Sequence, residues 1–132
     1  MSKELGCIML IDDNPDDNFF HEREIKKYRK TTNVITKDTG IGAFEYLQAK
    51  EKPRPDLIFL DINMPGMNGW EFLQVYRKLD KSLQTQIIIM LTTSENPDDA
   101  SRAKGVGYVS DYLTKPLTKE VFGTIINKYF ND

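Results

Sequence analysis

Leu57-Ile58-Phe59-Leu60-Asp61-Ile62-Asn63-Met64-Pro65-Gly66-Met67-Asn68-Gly69 is the stretch that decides how this chain folds. Four consecutive apolar residues are too few for a helix and suit a strand buried on both faces. The run stops on an acid, Asp61. Met64 to Gly69, with Pro65 and two glycines, is a loop. Phe72, Val75, Tyr76 and Leu79 then fall at i, i+3, i+4 and i+7, the stripe of an amphipathic helix. A buried strand, an acid at its end and an amphipathic helix form one unit, and that unit recurs in both directions.

Toward the N-terminus, Cys7-Ile8-Met9-Leu10-Ile11 is a second buried strand, ending in Asp12-Asp13. Asn14 suits a helix cap, Pro15 the first helical position, and Asp16 and Asp17 the positive helix end. This helix is predicted to reach about Lys30, with Phe20, His21, Ile25 and Tyr28 near one face. Asn33 to Thr36 is a weaker strand. Ile41, Phe44, Tyr46, Leu47 and Ala49 mark a helix that Lys52-Pro53-Arg54-Pro55 must end. Toward the C-terminus, Ile87 to Leu91 is the most apolar strand and runs into Thr92-Thr93-Ser94. Asn96-Pro97-Asp98-Asp99 repeats the capping chemistry and opens a short helix to about Lys104. Tyr112-Leu113 is a last short strand before Thr114-Lys115-Pro116. Phe122, Ile125, Ile126 and Tyr129 mark a closing helix. No internal repeat, low-complexity segment or linker interrupts the pattern.

Five strands and five helices in strict alternation predict an α/β fold. A parallel sheet carries helices on both faces, joined by right-handed crossovers. The chain of 132 residues suits one domain that folds without staples. Its net charge of -2 sets aside an electrostatic nucleic-acid binder. No apolar run approaches the roughly 18 residues of a membrane span, and the first residues lack a signal-peptide pattern, so a cytoplasmic protein is expected. Cys7 is the single cysteine and His21 the single histidine. They exclude an internal disulfide and cannot build a Cys/His zinc site.

Sheets of this class bind ligands at the carboxyl ends of their strands. Asp12 and Asp13 lie there after strand one, Asp61 and Asn63 after strand three, Thr92 and Thr93 after strand four, and Lys115 after strand five. Three convergent carboxylates repel one another unless a cation joins them. Oxygen ligands with room for water describe Mg²⁺ or Mn²⁺ better than zinc. A carboxylate beside such an ion can attack phosphorus, while a hydroxyl and an ammonium hold the other phosphoryl oxygens. Thr92 and Lys115 offer those two groups.

With these five motifs in order, from about Cys7 to Phe130, the chain resembles a receiver domain of a two-component response regulator. It looks like the single-domain kind typified by chemotaxis response regulators. The resemblance implies a doubly wound, flavodoxin-like, five-stranded parallel sheet of order 2-1-3-4-5, and one receiver domain over residues 1–132 with no effector domain. Asp61 would be the phosphoacceptor. Asp13 and Asp61 would ligate Mg²⁺ with the backbone carbonyl of Asn63, and Asp12 directly or through water. Thr92, with Thr93 beside it, and Lys115 would meet the phosphoryl oxygens. Thr92 and Tyr112 would shift together, and Pro116 would follow a cis bond. The implied partners are a histidine kinase or phosphotransfer protein, and a downstream protein on the face of helix four, strand five and helix five. No nucleic acid or membrane partner is implied.

Three features depart from the family pattern. Thr93 stands where Ala, Gly or Ser is usual. Tyr108-Val109 stands where a small pair is common, which leaves the packing of helix four open. The chain also stops at Asp132.

Other residues have plainer readings. His21 is read as a packed structural histidine, Asp16 and Asp17 as helix-start acids, Trp70 as packing or surface, and Met64 and Met67 as loop contacts. Asp61-Ile62-Asn63 also resembles the Asp-x-Asp motif of aspartate-nucleophile phosphatases. That family places its nucleophile after the first strand and adds a cap domain. A flavodoxin would need a neutral phosphate loop where Asp12-Asp13-Asn14-Pro15 stands.

Overall fold

The apolar runs pair into one parallel sheet of order β2-β1-β3-β4-β5. Its strands are β1 (Cys7–Ile11), β2 (Asn33–Lys37), β3 (Leu57–Leu60), β4 (Ile87–Thr92) and β5 (Asp111–Thr114). The helices are α1 (Pro15–Tyr28), α2 (Gly40–Gln48), α3 (Gly69–Tyr76), α4 (Pro97–Gly105) and α5 (Lys119–Tyr129). This computed structural model describes residues 5–85 and 87–130.

Burial follows strand position. Every residue of β1, β3 and β4 is buried, because each of these strands has a neighbour on both sides. The edge strands β2 and β5 are only partly covered. Successive side chains point to opposite faces, which creates two cores. Met9, Ile11, Ile58, Leu60, Ile88 and Met90 pack with Leu47, Phe72 and Tyr76 on one face. Ile8, Leu10, Phe59, Ile89 and Leu91 pack with Ile25, Phe122 and Ile126 on the other. Truncating a fully buried ring such as Phe59 or Phe122 to Ala would cost about 3–5 kcal/mol.

The register aligns the strand ends that matter. Ile11 pairs with Leu60, and Leu60 with Met90. Thr92 pairs with Thr114, so Asp12, Asp61, Thr92 and Lys115 emerge on one edge.

Several boundaries differ from the sequence expectation. α1 ends at Tyr28, two residues early, because Arg29 adopts extended backbone while its N–H still reaches the Ile25 carbonyl. Leu79 lies beyond α3. The chain tightens there into bonds from Lys78 N–H to Val75 O and Leu79 N–H to Tyr76 O, which keep Leu79 buried. A short 3-10 turn at Lys81–Leu83 carries no clear sequence signal. Among the described residues, no helix is long and apolar enough to cross a membrane.

Candidate functional site

Local capping builds the site's floor. Asn14 accepts the N–H groups of Asp16 and Asp17 and starts α1, fixing the turn after β1. Asp12 Oδ1 accepts the Asn14 N–H at 3.0 Å, and Asn18 Nδ2 donates to the Asp12 carbonyl at 2.9 Å. Asp61 hangs from β1 through its N–H to Ile11 O, and its Oδ1 accepts the Ile62 N–H at 2.8 Å. The Lys115 N–H bonds Thr92 O at 2.9 Å, just before a cis Lys115–Pro116 peptide.

Two short approaches hold α3 against this floor. The Gly69 N–H bonds Ile62 O at 2.8 Å, and a Cβ on Gly69 would lie 2.5 Å from the Asp61 carbonyl oxygen. Only glycine fits there.

Lys115 gathers the acids. Its ammonium lies 2.5 Å from Asp12 Oδ2, 2.8 Å from Asp17 Oδ2 and 3.4 Å from Asp61 Oδ2. Asp12, Asp13 and Asp61 each offer an oxygen within 4.8 Å of the others. Asp12 and Asp61 are buried while Asp13 faces solvent. Three carboxylates therefore contact one ammonium, with Asp13 beside Asp12 and Asp61, and excess negative charge remains. That surplus, carried on hard oxygen atoms with one open side, suits a divalent cation such as Mg²⁺.

The electrostatics follow from burial. Burial raises the Asp12 carboxyl above its ordinary range and Asp61 adds to this, while Lys115 and the Asn14 N–H offset part of it. Burial also works against the Lys115 ammonium. Its hydrogen bonds to Asp12 and Asp17 and the nearby Asp61 charge outweigh that, so its pKa moves up. His21 is 2% exposed, and burial together with the Lys115 charge pushes it down to about 4 against the pull of Asp17, Asp61 and Glu24. His21 is thus neutral at pH 7.

A second group lies beside the cluster. Thr92 is fully buried, and its hydroxyl accepts the Ser94 N–H at 3.3 Å. The half-buried Tyr112 donates its hydroxyl to Ser94 O at 3.1 Å. Ser94 in turn donates to Asp99 Oδ2 on α4. Ser94 therefore joins Thr92, Tyr112 and α4. Asn63 and Thr93 have exposed side chains that make no hydrogen bond among the described residues. Met64 is buried and Met67 half-buried in the loop.

Asp17 is a helix-start acid as expected, and its carboxylate in addition binds Lys115. The signal was available. Asp17, His21 and Ile25 fall at i, i+4 and i+8, so Asp17 shares the buried face of α1. The open packing of helix four also resolves. Tyr108 donates to Leu73 O at 2.9 Å and stacks on Tyr76, with ring centroids 6.3 Å apart.

The response regulator receiver domain matches residues 8–127. The chain belongs to the response regulator receiver family. As a receiver it is a component of two-component signalling. It is 34% identical over 125 residues to Protein PilH of Pseudomonas aeruginosa, covering 93% of this chain and 96% of that one. Response regulator Rcp1 of Synechocystis is 31% identical over 112 residues, covering 82% of this chain and 75% of that one. Among solved structures, a two-component response regulator from Cytophaga hutchinsonii matches with a TM-score of 0.85 at 28% identity, covering 96% of this chain and 98% of that one. The phosphorylated cyanobacterial phytochrome response regulator RcpA matches with a TM-score of 0.78 at 28% identity, covering 96% and 94%. The receiver match spans Asp61-Ile62-Asn63 as well, so the resemblance to aspartate-nucleophile phosphatases has no separate support.

Proposed function

We propose that this receiver takes a phosphoryl group on Asp61 from a histidine kinase or phosphotransfer protein and so changes a protein-binding face. The observation that supports this reading is the reach of one ammonium, Lys115 Nζ, to both Asp12 and Asp61 across separate strand ends. An Asp61 carboxylate oxygen forms a bond to phosphorus as the donor's N–P bond breaks. The leaving imidazole nitrogen keeps the electron pair and takes a proton from solvent. Asp12, Asp13, Asp61 and the Asn63 backbone carbonyl would hold Mg²⁺, which supplies positive charge against the phosphoryl oxygens. Lys115 leaves Asp17 and Asp12 to meet one of those oxygens.

Thr92 carries the change outward. Its hydroxyl gives up the Ser94 N–H and turns to the phosphoryl group, with Thr93 at the mouth. The same movement disturbs Ser94, whose carbonyl holds Tyr112. Tyr112 then changes rotamer and alters the surface of α4, β5 and α5, where a downstream protein binds. A preference of a few kcal/mol for the new state inverts the population. A cytoplasmic location goes with this reading, since a kinase must reach the site.

Crystal structures with and without Mg²⁺ and beryllofluoride, a phosphoryl mimic, test the switch. Tyr112 is expected to lose its bond to Ser94 O in the mimic-bound form of the parent but not of Thr92→Ala. An identical α4–β5–α5 face in both parent structures would overturn the output mechanism.

A further inference from the structure

We propose that a groove between α3 and α4 docks an acidic peptide segment of a partner protein, on a surface apart from both the Asp61 cluster and the α4–β5–α5 face. The groove has a volume of about 570 Å³. That lies in the roughly 300–1,000 Å³ range of ligand clefts and suits a short anchored segment rather than a whole domain.

Its walls are basic. Arg77, Lys81 and Arg102 line it, and none of them pairs with a carboxylate among the described residues. Two acids on α3 and in the turn after it are committed elsewhere. Glu71 accepts the Asn68 N–H in a capping box, and Asp80 accepts the N–H and hydroxyl of Ser82. Three cations without a carboxylate partner among the described residues stand on one groove, in a chain of net charge -2.

Its floor is apolar, with Trp70 and Leu73 buried and Val106 and Tyr108 half-buried. Leu73 and Val106 line it beside Tyr108, whose hydroxyl is fixed on Leu73 O. Trp70 forms one end, with the Arg102 guanidinium 4.4 Å above its ring centroid. A half-buried aromatic, Tyr108, and the edge of Trp70 ringed by cations are complementary to a segment that alternates carboxylates with bulky apolar side chains. Bulk polyanions are a poorer match, because the net negative charge of the whole chain repels them. The proposal does not depend on phosphoryl transfer at Asp61.

The test uses a fluorescein-labelled hexapeptide, Glu-Leu-Asp-Phe-Glu-Asp, against the full chain. Anisotropy gives the affinity, and the emission of Trp70, the chain's single tryptophan, locates the site. Saturable binding that shifts Trp70 emission and weakens with added salt is expected. The double variant Arg77→Gln/Arg102→Gln is expected to bind at least about tenfold more weakly, a clear step on the affinity scale. Its uptake of phosphate from acetyl phosphate is expected to stay at the parent level, which separates lost docking from lost folding. A peptide with Gln and Asn for the acids, and another with Ser for Leu and Phe, are both expected to bind at least about tenfold more weakly. Equal binding of either control peptide, equal binding by the double variant, tighter binding of a DNA oligonucleotide of equal charge, or no saturable binding would each overturn the proposal.

Discussion

Asp17 on α1 and Lys115 after β5 meet at 2.8 Å across 98 residues of sequence, closer than the 3.4 Å between Lys115 and Asp61. The ammonium therefore rests on the entrance acids and must leave them to serve a phosphoryl group. Asp17→Asn removes one acid from the path of an incoming anion and frees Lys115. Phosphate uptake from acetyl phosphate is expected to quicken about two- to fivefold, the scale of losing one nearby charge in a water-like dielectric. Stopped-flow quenching of intrinsic fluorescence measures the rate. A slower or unchanged rate would show that Asp17 does not restrain Lys115.

Divalent metal is expected to stabilise the fold, because Asp12, Asp13 and Asp61 crowd one site. Mass action sets the size at about 2.7 kcal/mol for metal at a hundred times its dissociation constant. Asp13 is the exposed member, so Asp13→Ala removes a ligand without opening the core. Thermal melts with Mg²⁺ and with chelator are expected to separate for the parent and coincide for Asp13→Ala. Without metal the variant should be at least as stable as the parent, since a repelling charge is gone. An intact Mg²⁺ response in Asp13→Ala would place the metal elsewhere.

His21 should make stability depend on pH. Its folded pKa of about 4 lies below the ordinary 6.5, so the unfolded chain takes the proton first as pH falls. The contribution is complete above about pH 6.5 and declines toward pH 4, by about 3 kcal/mol in all. Asp12 acts in the opposite sense, since a raised carboxyl favours the folded state as pH falls. His21→Gln isolates the histidine. In urea melts between pH 4 and 7.5, the stability gap between parent and variant is expected to shrink as pH falls. Parallel curves would contradict the burial of a neutral imidazole.

Gly69→Ala is expected to disturb both fold and site. Its Cβ would meet the Asp61 carbonyl oxygen at 2.5 Å and Ile62 Cα at 2.9 Å, and both are backbone atoms that cannot turn aside. Overpacking of this kind costs about 1–3 kcal/mol. A chemical denaturation midpoint equal to the parent's would show that the α3 start is free to move.

The sheet was legible because β1, β3 and β4 are unbroken apolar runs ended by the polar residues of the site. Asn14 and Asn96, each followed by proline, also announced α1 and α4 correctly. The acids at the ends of β1 and β3 could be grouped from topology alone, since parallel strands in register bring their ends to one edge. What stayed hidden depends on rotation and on distant partners. The i, i+4 spacing to His21 puts Asp17 rather than Asp16 on the inner face of α1, but its partner Lys115, 98 residues away, has no local signal. Leu79 fits the α3 stripe by spacing but lies past the helix end, where 3-10-type bonds replace α-helical ones. Tyr108 reaches α3 through a hydroxyl bond across 35 residues, which no local pattern encodes. The cis bond at Lys52–Pro53 had no signal beyond the proline itself.

Asp61 is expected to accept a phosphoryl group only with the help of a divalent metal. Intact-protein mass spectrometry after incubation with acetyl phosphate tests it most directly, comparing parent and Asp61→Asn in Mg²⁺ and in chelator. One added phosphoryl group is expected on the parent in Mg²⁺, and none in chelator or on Asp61→Asn. Parent-level labelling of Asp61→Asn, or labelling indifferent to chelator, would contradict the claim.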